Sequence, residues 1–314
     1  MVNTNLDNAV LFSLEPNSMA EELRRETGVV AGHFDARLFP DGETYVRIKS
    51  EVKGKHCILL ANLSPPNQKY LPLIFLVDTL KELGALSVGL VAPYLCYMRQ
   101  DRRFVEGEAI TSRIFARHLS AHIDWLVTVD PHLHRYHSLD EIYSIPNRVV
   151  QGAPALVSWL EQQSNLLLVG PDAESEQWVS AIANQSSHEF VIGNKKRFGD
   201  RDVEVALPDI AKYEGATAVI IDDVISSGQT ILKCIEALKQ QNINDIQCAA
   251  VHGVFSDNSD RNLLKAGLTK LATSNTIPHP SNEINIVPLL VKPIQECLID
   301  IINHDDIPIA SEAE

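Results

Sequence analysis

Residues Val219 to Thr230 read VIIDDVISSGQT. An apolar, β-branched run leads into two acids, and a small polar loop with one glycine then opens a helical segment. The run lacks alternation, as expected of a strand covered on both faces. Read as a strand from Ala216 to Asp222, it carries Asp222 and Asp223 to its C-terminal end, where α/β sheets bind ligands. Ser226, Ser227, Gly228, Gln229 and Thr230 can then wrap backbone N–H groups around a phosphate. The helix that follows, with Ile231, Leu232, Ile235 and Leu238 on one face, adds its positive N-terminus. The two acids can hold ribose hydroxyls directly, or a magnesium ion bound to them. A capped turn before a helix accounts for an acid pair alone, but not for the whole string.

Outward from this loop, short β-branched runs alternate with longer amphipathic segments. Strands are expected at Ala9–Leu14, His56–Leu63, Ser87–Ala92, Trp125–Asp130, Leu166–Gly170, Ile246–Val254 and Lys270–Ser274. Helices are expected from a capping box at Ser18–Glu21 to Gly28, over Tyr70–Leu83 with Gly84 as the stop, and over Ile110–Ala121. Strands regularly separated by helices imply parallel sheets built from βαβ units. Turn residues cluster at Pro146–Gly152, which predicts two domains, 1–148 and 149–314. No strict internal repeat is visible, and the tail from Ile307 is small and acidic.

Composition narrows the partners. The 314 residues are 45% hydrophobic and 22% charged, values of a folded globular chain of about two domains. A net charge of −14 argues against duplex DNA as a partner. An anionic ligand then needs local basic groups, backbone N–H groups or a metal ion. The apolar runs are too short to span a bilayer, and MVNTNLDNAVLF has no basic leader before an apolar core. Cys57, Cys96, Cys234, Cys248 and Cys297 are scattered with no CxxC pair, as expected of small buried hydrophobes in a reducing cytoplasm.

The Val219–Thr230 string resembles the phosphoribosyl-binding signature shared by phosphoribosyltransferases and ribose-phosphate pyrophosphokinases. Other segments favour the second family. Phe39-Pro40-Asp41-Gly42-Glu43 resembles its adenine-binding loop, where Phe39 would stack on the base. Tyr97-Met98-Arg99-Gln100-Asp101-Arg102-Arg103, followed by Glu106 to Arg113, resembles its triphosphate-side segment, and forked arginine donors suit planar phosphate oxygens. Val129-Asp130-Pro131-His132 and Val169-Gly170-Pro171-Asp172 resemble its metal-contacting elements. Asn194-Lys195-Lys196-Arg197 resembles its mobile catalytic loop. Val251–Phe255 and Ser274–Pro278 match late elements in the same order.

The resemblance implies an α/β fold of two phosphoribosyltransferase-like domains, each a mainly parallel sheet flanked by helices. It implies transfer of the diphosphoryl group of ATP to ribose 5-phosphate, with Mg2+ as cofactor. Lys195 and Arg197 would be catalytic, and His132 and Asp172 would contact metal. Phe39, Asp41, Gly42, Glu43, Arg99, Gln100 and Asp101 would bind ATP. Arg197, Asp222, Asp223 and Ser226 to Thr230 would bind ribose 5-phosphate. It also implies a homo-oligomer with shared active sites, Asp41 and Glu43 reaching the adenine of a neighbouring subunit. Neither nucleic acid nor membrane is an expected partner.

Two positions depart from the family pattern. Ser226 stands where many members carry Asp, and Gln229 where a small residue, often Gly, is found. If the Gln229 position needs positive φ, the side chain costs about 1–2 kcal/mol. Two rival readings are a non-catalytic regulatory homologue and a phosphoribosyltransferase-type binding protein. The first is disfavoured by the presence of Lys195, Arg197 and His132. The second leaves Phe39–Glu43 and Arg99–Asp101 unexplained.

Overall fold

The computed structural model describes residues 6–197 and 203–305. The chain forms two units. The described residues up to Val150, together with those from Val287 onward, make the first; Gln151–Ile286 make the second.

The first unit runs β1 (Ala9–Ser13), α1 (Ser18–Thr27), β2 (Val30–Ala31), β3 (Phe34–Leu38), β4 (Thr44–Ile48), β5 (His56–Leu60), α2 (Pro66–Glu82), β6 (Ser87–Ala92), α3 (Thr111–Ser120), β7 (Trp125–Val129) and β8 (Asn147–Val150). Its sheet has the order β2-β1-β5-β6-β7-β8, with parallel pairing throughout. β3 and β4 form a separate antiparallel hairpin.

The second unit runs α4 (Ala153–Leu160), β9 (Leu166–Gly170), α5 (Glu176–Ser186), β10 (Glu189–Ile192), β11 (Asn194–Arg197), β12 (Val203–Ala206), β13 (Thr217–Ile225), α6 (Gln229–Gln240), β14 (Ile246–Gly253), α7 (Ser259–Ala266), β15 (Lys270–Ser274) and β16 (Asn282–Ile284). Its parallel sheet has the order β10-β9-β13-β14-β15-β16, and β11 and β12 form the hairpin.

The two sheets thus share one strand order, with a hairpin inserted after the second strand of each. The architecture is duplicated although no strict repeat shows in the residues. In this alignment of topologies the Ser226–Gly228 loop, between β13 and α6, corresponds to the β5–α2 connection of the first unit. There the chain reads Ala61-Asn62-Leu63-Ser64-Pro65, with no acid pair and no glycine.

Why these segments are strands is visible in their burial. β5, β6, β7 and β9 are buried along their whole length, as continuous apolar runs between helical layers require. Residues such as Phe12, Leu59, Leu76 and Leu90 fill the core of the first unit, and Ile220, Ile235, Leu238 and Leu263 that of the second. Burial of each such side chain contributes about 1.5–3 kcal/mol. Gly89 is held to glycine by its neighbour: a Cβ there would lie 1.7 Å from the Trp125 indole, which is paired across the sheet.

Three expectations need correction. The capping residue of α1 is Asn17, whose side chain accepts from Met19 N–H at 2.9 Å; Ser18 is already helical. α2 begins four residues before Tyr70, because Pro66 occupies its first turn, where a missing N–H costs nothing. The last helix, α8 (Val287–Asp305), belongs with the first unit, not with a 149–314 domain. Its buried Leu290, Ile294, Cys297 and Leu298 fall on one face that packs beside α1, β7 and β8. Arg148, within β8, lies 3.4 Å from Glu296 and 2.5 Å from Asp300 across that contact. The tail beyond Asp305 lies outside the described residues.

Candidate functional site

In the second unit the site begins where β9 ends. β13 pairs with β9 only from Thr217↔Leu166 to Ile220↔Val169, yet stays paired to β14 as far as Ile225↔Gly253. Asp222 and Asp223 therefore sit within the strand, on the stretch whose β9 side is open, and not at its end. Each is held by the backbone. Asp223 N–H donates to Asp222 Oδ1 at 2.9 Å and Val224 N–H donates to Asp223 Oδ1 at 2.8 Å. The chain leaving β9 turns at Pro171, and Asp172 caps the following turn by accepting from Ser175 N–H at 3.2 Å.

These acids feel one another. Asp222 keeps partial contact with solvent but is closely surrounded by protein. That desolvation first, then the charges of Asp223 and Asp172, push its carboxyl well above the usual carboxylate range. Sugar hydroxyls or a cation relieve such crowding.

The loop after β13 ends at Gly228, which adopts φ +70° as the N-cap of α6. Gln229 is the first residue of α6, so the positive φ falls on the glycine and the departure at Gln229 carries no backbone strain. No side chain caps the first turn of α6, which leaves that role to a ligand anion or water. The loop is fastened from behind. Val254 and Phe255 N–H donate to Ile225 O at 2.9 and 3.0 Å, and Ser259 Oγ donates to Ser226 O at 2.6 Å. Ser226 Oγ, in place of a carboxylate, lies 3.3 Å from Ser256 Oγ. Ser256 and Ser259 were not among the residues singled out from sequence. Their only signal was position, just after the Val251–Phe255 segment.

β11 and β12 place Lys195 opposite Val205 and Arg197 opposite Val203. The expected catalytic loop is thus the outgoing arm of a hairpin. The Lys195 and Arg197 side chains, and residues 198–202, lie outside what the structure describes.

In the first unit Phe39, Asp41, Gly42 and Glu43 form the exposed tip of the β3–β4 hairpin. Phe39 N–H donates to Glu43 O at 2.8 Å, Gly42 N–H returns to Phe39 O at 2.9 Å, and Glu43 N–H donates to Asp41 Oδ1 at 3.2 Å. Gly42 supplies the left-handed conformation of the turn at φ +92°. The Arg37 guanidinium lies 4.5 Å from the centroids of both Phe39 and Tyr45, so one face of Phe39 already carries a cation.

Arg99, Gln100 and Asp101 follow β6. Arg99 is exposed, and Gln100 O accepts from Ser112 N–H at 3.3 Å. Asp101 stands apart from its expected ligand-facing role: its side chain is only 3% exposed and accepts from Arg135. Tyr97, which leads into this run, holds φ +59°, a costly conformation for a bulky residue, with its ring 4.8 Å from Phe115. His132 follows β7 through Asp130, itself at φ +33°, and its ring lies edge-on to His134 at 4.2 Å. A groove of 390 Å³ behind Tyr97, lined by Tyr70, Ile114, Phe115 and His118, contains none of the expected site residues.

Among the described residues no group of three or more His, Cys, Asp or Glu is placed to hold a metal ion by itself. The donors still suit magnesium. It prefers hard oxygen ligands, takes one or two carboxylates, and fills its remaining positions with water and substrate phosphate. The Asp172, Asp222 and Asp223 carboxylates offer oxygen donors of that kind.

Comparison with known proteins agrees with this layout. Residues 9–122 match the model of the N-terminal domain of ribose phosphate pyrophosphokinase, and residues 138–285 match that of the phosphoribosyl transferase domain. A ribose-phosphate pyrophosphokinase of Methanopyrus kandleri is 31% identical over 88% of this chain and 94% of its own. Ribose-phosphate pyrophosphokinase 1 of Streptococcus pneumoniae is 32% identical over 87% of each. The crystal structure of phosphoribosylpyrophosphate synthetase from Mycobacterium smegmatis superposes with a TM-score of 0.79, covering 93% of this chain and 99% of that one. At 24% identity it speaks to the fold.

Proposed function

Since the chain belongs to the ribose-phosphate pyrophosphokinase family, we propose that it transfers the β,γ-diphosphoryl group of ATP to the 1-hydroxyl of ribose 5-phosphate. The products are AMP and 5-phosphoribosyl 1-pyrophosphate, a precursor for nucleotide biosynthesis. The observation that carries the reading is the second unit's loop: two strand acids, then a glycine-opened helix N-terminus, within a chain matched along most of its length to this family.

Transfers of this kind need positioning and charge stabilisation more than covalent chemistry. The ribose ring rests its hydroxyls on Asp222 and Asp223. Its 5-phosphate is gripped by the backbone of Ser226 to Gly228 and the first turn of α6, Gln229 and Thr230, where N–H groups and helix polarity favour an anion. In the first unit adenine stacks on Phe39, with Asp41 and Glu43 accepting from its polar edge or from the ribose. Arg99 and Gln100 face the phosphates. Lys195 and Arg197 bring positive charge to the transferring group, a contribution typically of about 3–4 kcal/mol for each preorganised donor. One Mg2+ held through His132 and triphosphate oxygens would neutralise phosphate charge, and a second near Asp172, Asp222 and Asp223 would hold the ribose hydroxyls. No side chain is assigned as general base.

The same reading makes the enzyme cytoplasmic and a homo-oligomer with shared sites. Five free, buried cysteines suit a reducing compartment, and the exposed Phe39–Glu43 tip is accessible to a neighbouring subunit. Among the described residues no helix is long and apolar enough to cross a membrane.

Incubation with ATP, Mg2+ and ribose 5-phosphate should yield AMP and 5-phosphoribosyl 1-pyrophosphate in equal amounts. ATP that stays intact across a range of metal and phosphate concentrations would sink the reading.

A further inference from the structure

Asp101 lies within the run proposed to face the phosphates of ATP, yet its carboxylate turns inward. Arg135 Nη1 donates to both of its oxygens, at 2.8 and 2.9 Å. The Asp101 side chain is 3% exposed and that of Arg135 42%, so the pair closes over the acid from the solvent side. The next residue adds a second bond: Tyr136 OH donates to Asp101 O at 3.2 Å. Tyr136 OH also accepts from Arg113 Nε at 3.3 Å and lies 3.1 Å from Ser112 Oγ. Ser112 N–H closes the circuit on Gln100 O at 3.3 Å. Phe104 covers the outer side, 5.7 Å from the Arg135 guanidinium and 4.7 Å from that of Arg102.

Two loops from neighbouring strand ends are therefore joined at one point. One carries Arg99 and Gln100; the other carries His132, three residues before Arg135. We infer that Arg135 is a positioning residue: with Tyr136 it fixes the Arg99–Asp101 segment against the His132 loop, so that the groups binding the triphosphate and its metal keep one spacing. The inference rests on the proposed activity for its meaning, but the join itself is a matter of geometry. A carboxylate this enclosed has little other source of compensation, and freeing it unfastens Arg99 two residues away. Displacement of a binding group by about 1 Å can cost on the order of 10²-fold.

The test uses the full chain with Arg135→Met, Arg135→Lys, Asp101→Asn and Tyr136→Phe. Two readouts are taken: calorimetric affinity for Mg·ATP and for ribose 5-phosphate, and amide hydrogen exchange over residues 99–104. Arg135→Met and Asp101→Asn should each weaken Mg·ATP at least tenfold, leave ribose 5-phosphate within twofold, and speed exchange in the segment. Arg135→Lys and Tyr136→Phe should fall between these and the wild type, which keeps the test open if the stronger variants do not fold. Unchanged exchange in Arg135→Met overturns the inference. So does an equal loss of both substrates, or an Asp101→Asn that binds Mg·ATP normally while Arg135→Met does not, which would make Arg135 a direct ligand. Wild-type protein that binds no Mg·ATP refutes the proposed activity instead, and exchange alone then decides the join.

Discussion

Replacement of Gly228 by alanine probes the phosphate loop at its least tolerant point. Gly228 holds φ +70°, and an added Cβ would lie 3.3–3.4 Å from Cδ1, Cδ2 and Cγ of Leu263. The left-handed conformation costs a residue with Cβ about 1–2 kcal/mol. Leu263 is fully buried in the core of the second unit, so it yields only by straining its neighbours, another 1 kcal/mol or so. Stiffening of the unfolded chain returns about 0.4–1 kcal/mol. The net loss is about 2 kcal/mol, or roughly 6 °C in the melting temperature. Because the same φ aims the loop's N–H groups, KM for ribose 5-phosphate should rise tenfold or more while KM for ATP stays near wild type. Denaturant melts and steady-state kinetics read both effects. In a Leu263→Val background, which lacks the δ carbons, most of the crowding part should go and about 1 kcal/mol from φ should remain. Stability within 0.5 kcal/mol of wild type and an unchanged KM would refute the view that this turn depends on a left-handed glycine.

Other perturbations separate the remaining roles. Asp222 has its carboxyl raised in the folded chain by desolvation and neighbouring acids, so its stability contribution is full below the unfolded carboxylate range and is lost as pH rises through the folded value. Asp222→Asn should therefore melt higher than wild type at neutral pH without ligands, by about 2–4 °C for each kcal/mol relieved, and yet lose ribose 5-phosphate binding; a lower melting temperature would count against the crowding. Phe39→Ala should raise KM for ATP about tenfold through loss of base stacking, at the 1–3 kcal/mol such stacks are worth, while leaving kcat largely intact. Lys195→Ala should bind both substrates and turn over about 10²–10³-fold more slowly; unchanged turnover would remove Lys195 from the mechanism.

Much of the fold was legible from periodicity because the parallel strands are buried on both faces. β6, β9 and β15 match their expected bounds residue for residue, since continuous apolar runs bounded by turns admit few other readings. The β3–β4 hairpin was missed although Phe34-Asp35-Ala36-Arg37-Leu38 alternates apolar and charged residues, because neither strand is a continuous apolar run and β4 packs beside α2. α8 was assigned to the wrong unit because an amphipathic helix says how much it buries, not which sheet it covers. The duplication is one of strand order, which leaves no strict repeat in the residues to read. For the candidate site, residue types pointed to Asp222, Asp223 and the Ser226–Thr230 loop, which the fold places on β13 and at the start of α6. What they could not announce was tertiary. Positive φ falls on Gly228 rather than Gln229, and Asp101 faces Arg135 from another loop. A motif gives the order of groups along the chain, and their direction comes from what packs behind them.

The central claim concerns which phosphorus is attacked. ATP labelled with 32P in the γ position, incubated with the full chain, Mg2+ and ribose 5-phosphate, tests it directly. Attack at the β-phosphorus should carry the label into 5-phosphoribosyl 1-pyrophosphate and leave unlabelled AMP. Label recovered as orthophosphate, or in a sugar bisphosphate alongside ADP, would place the attack at the γ-phosphorus and contradict diphosphoryl transfer.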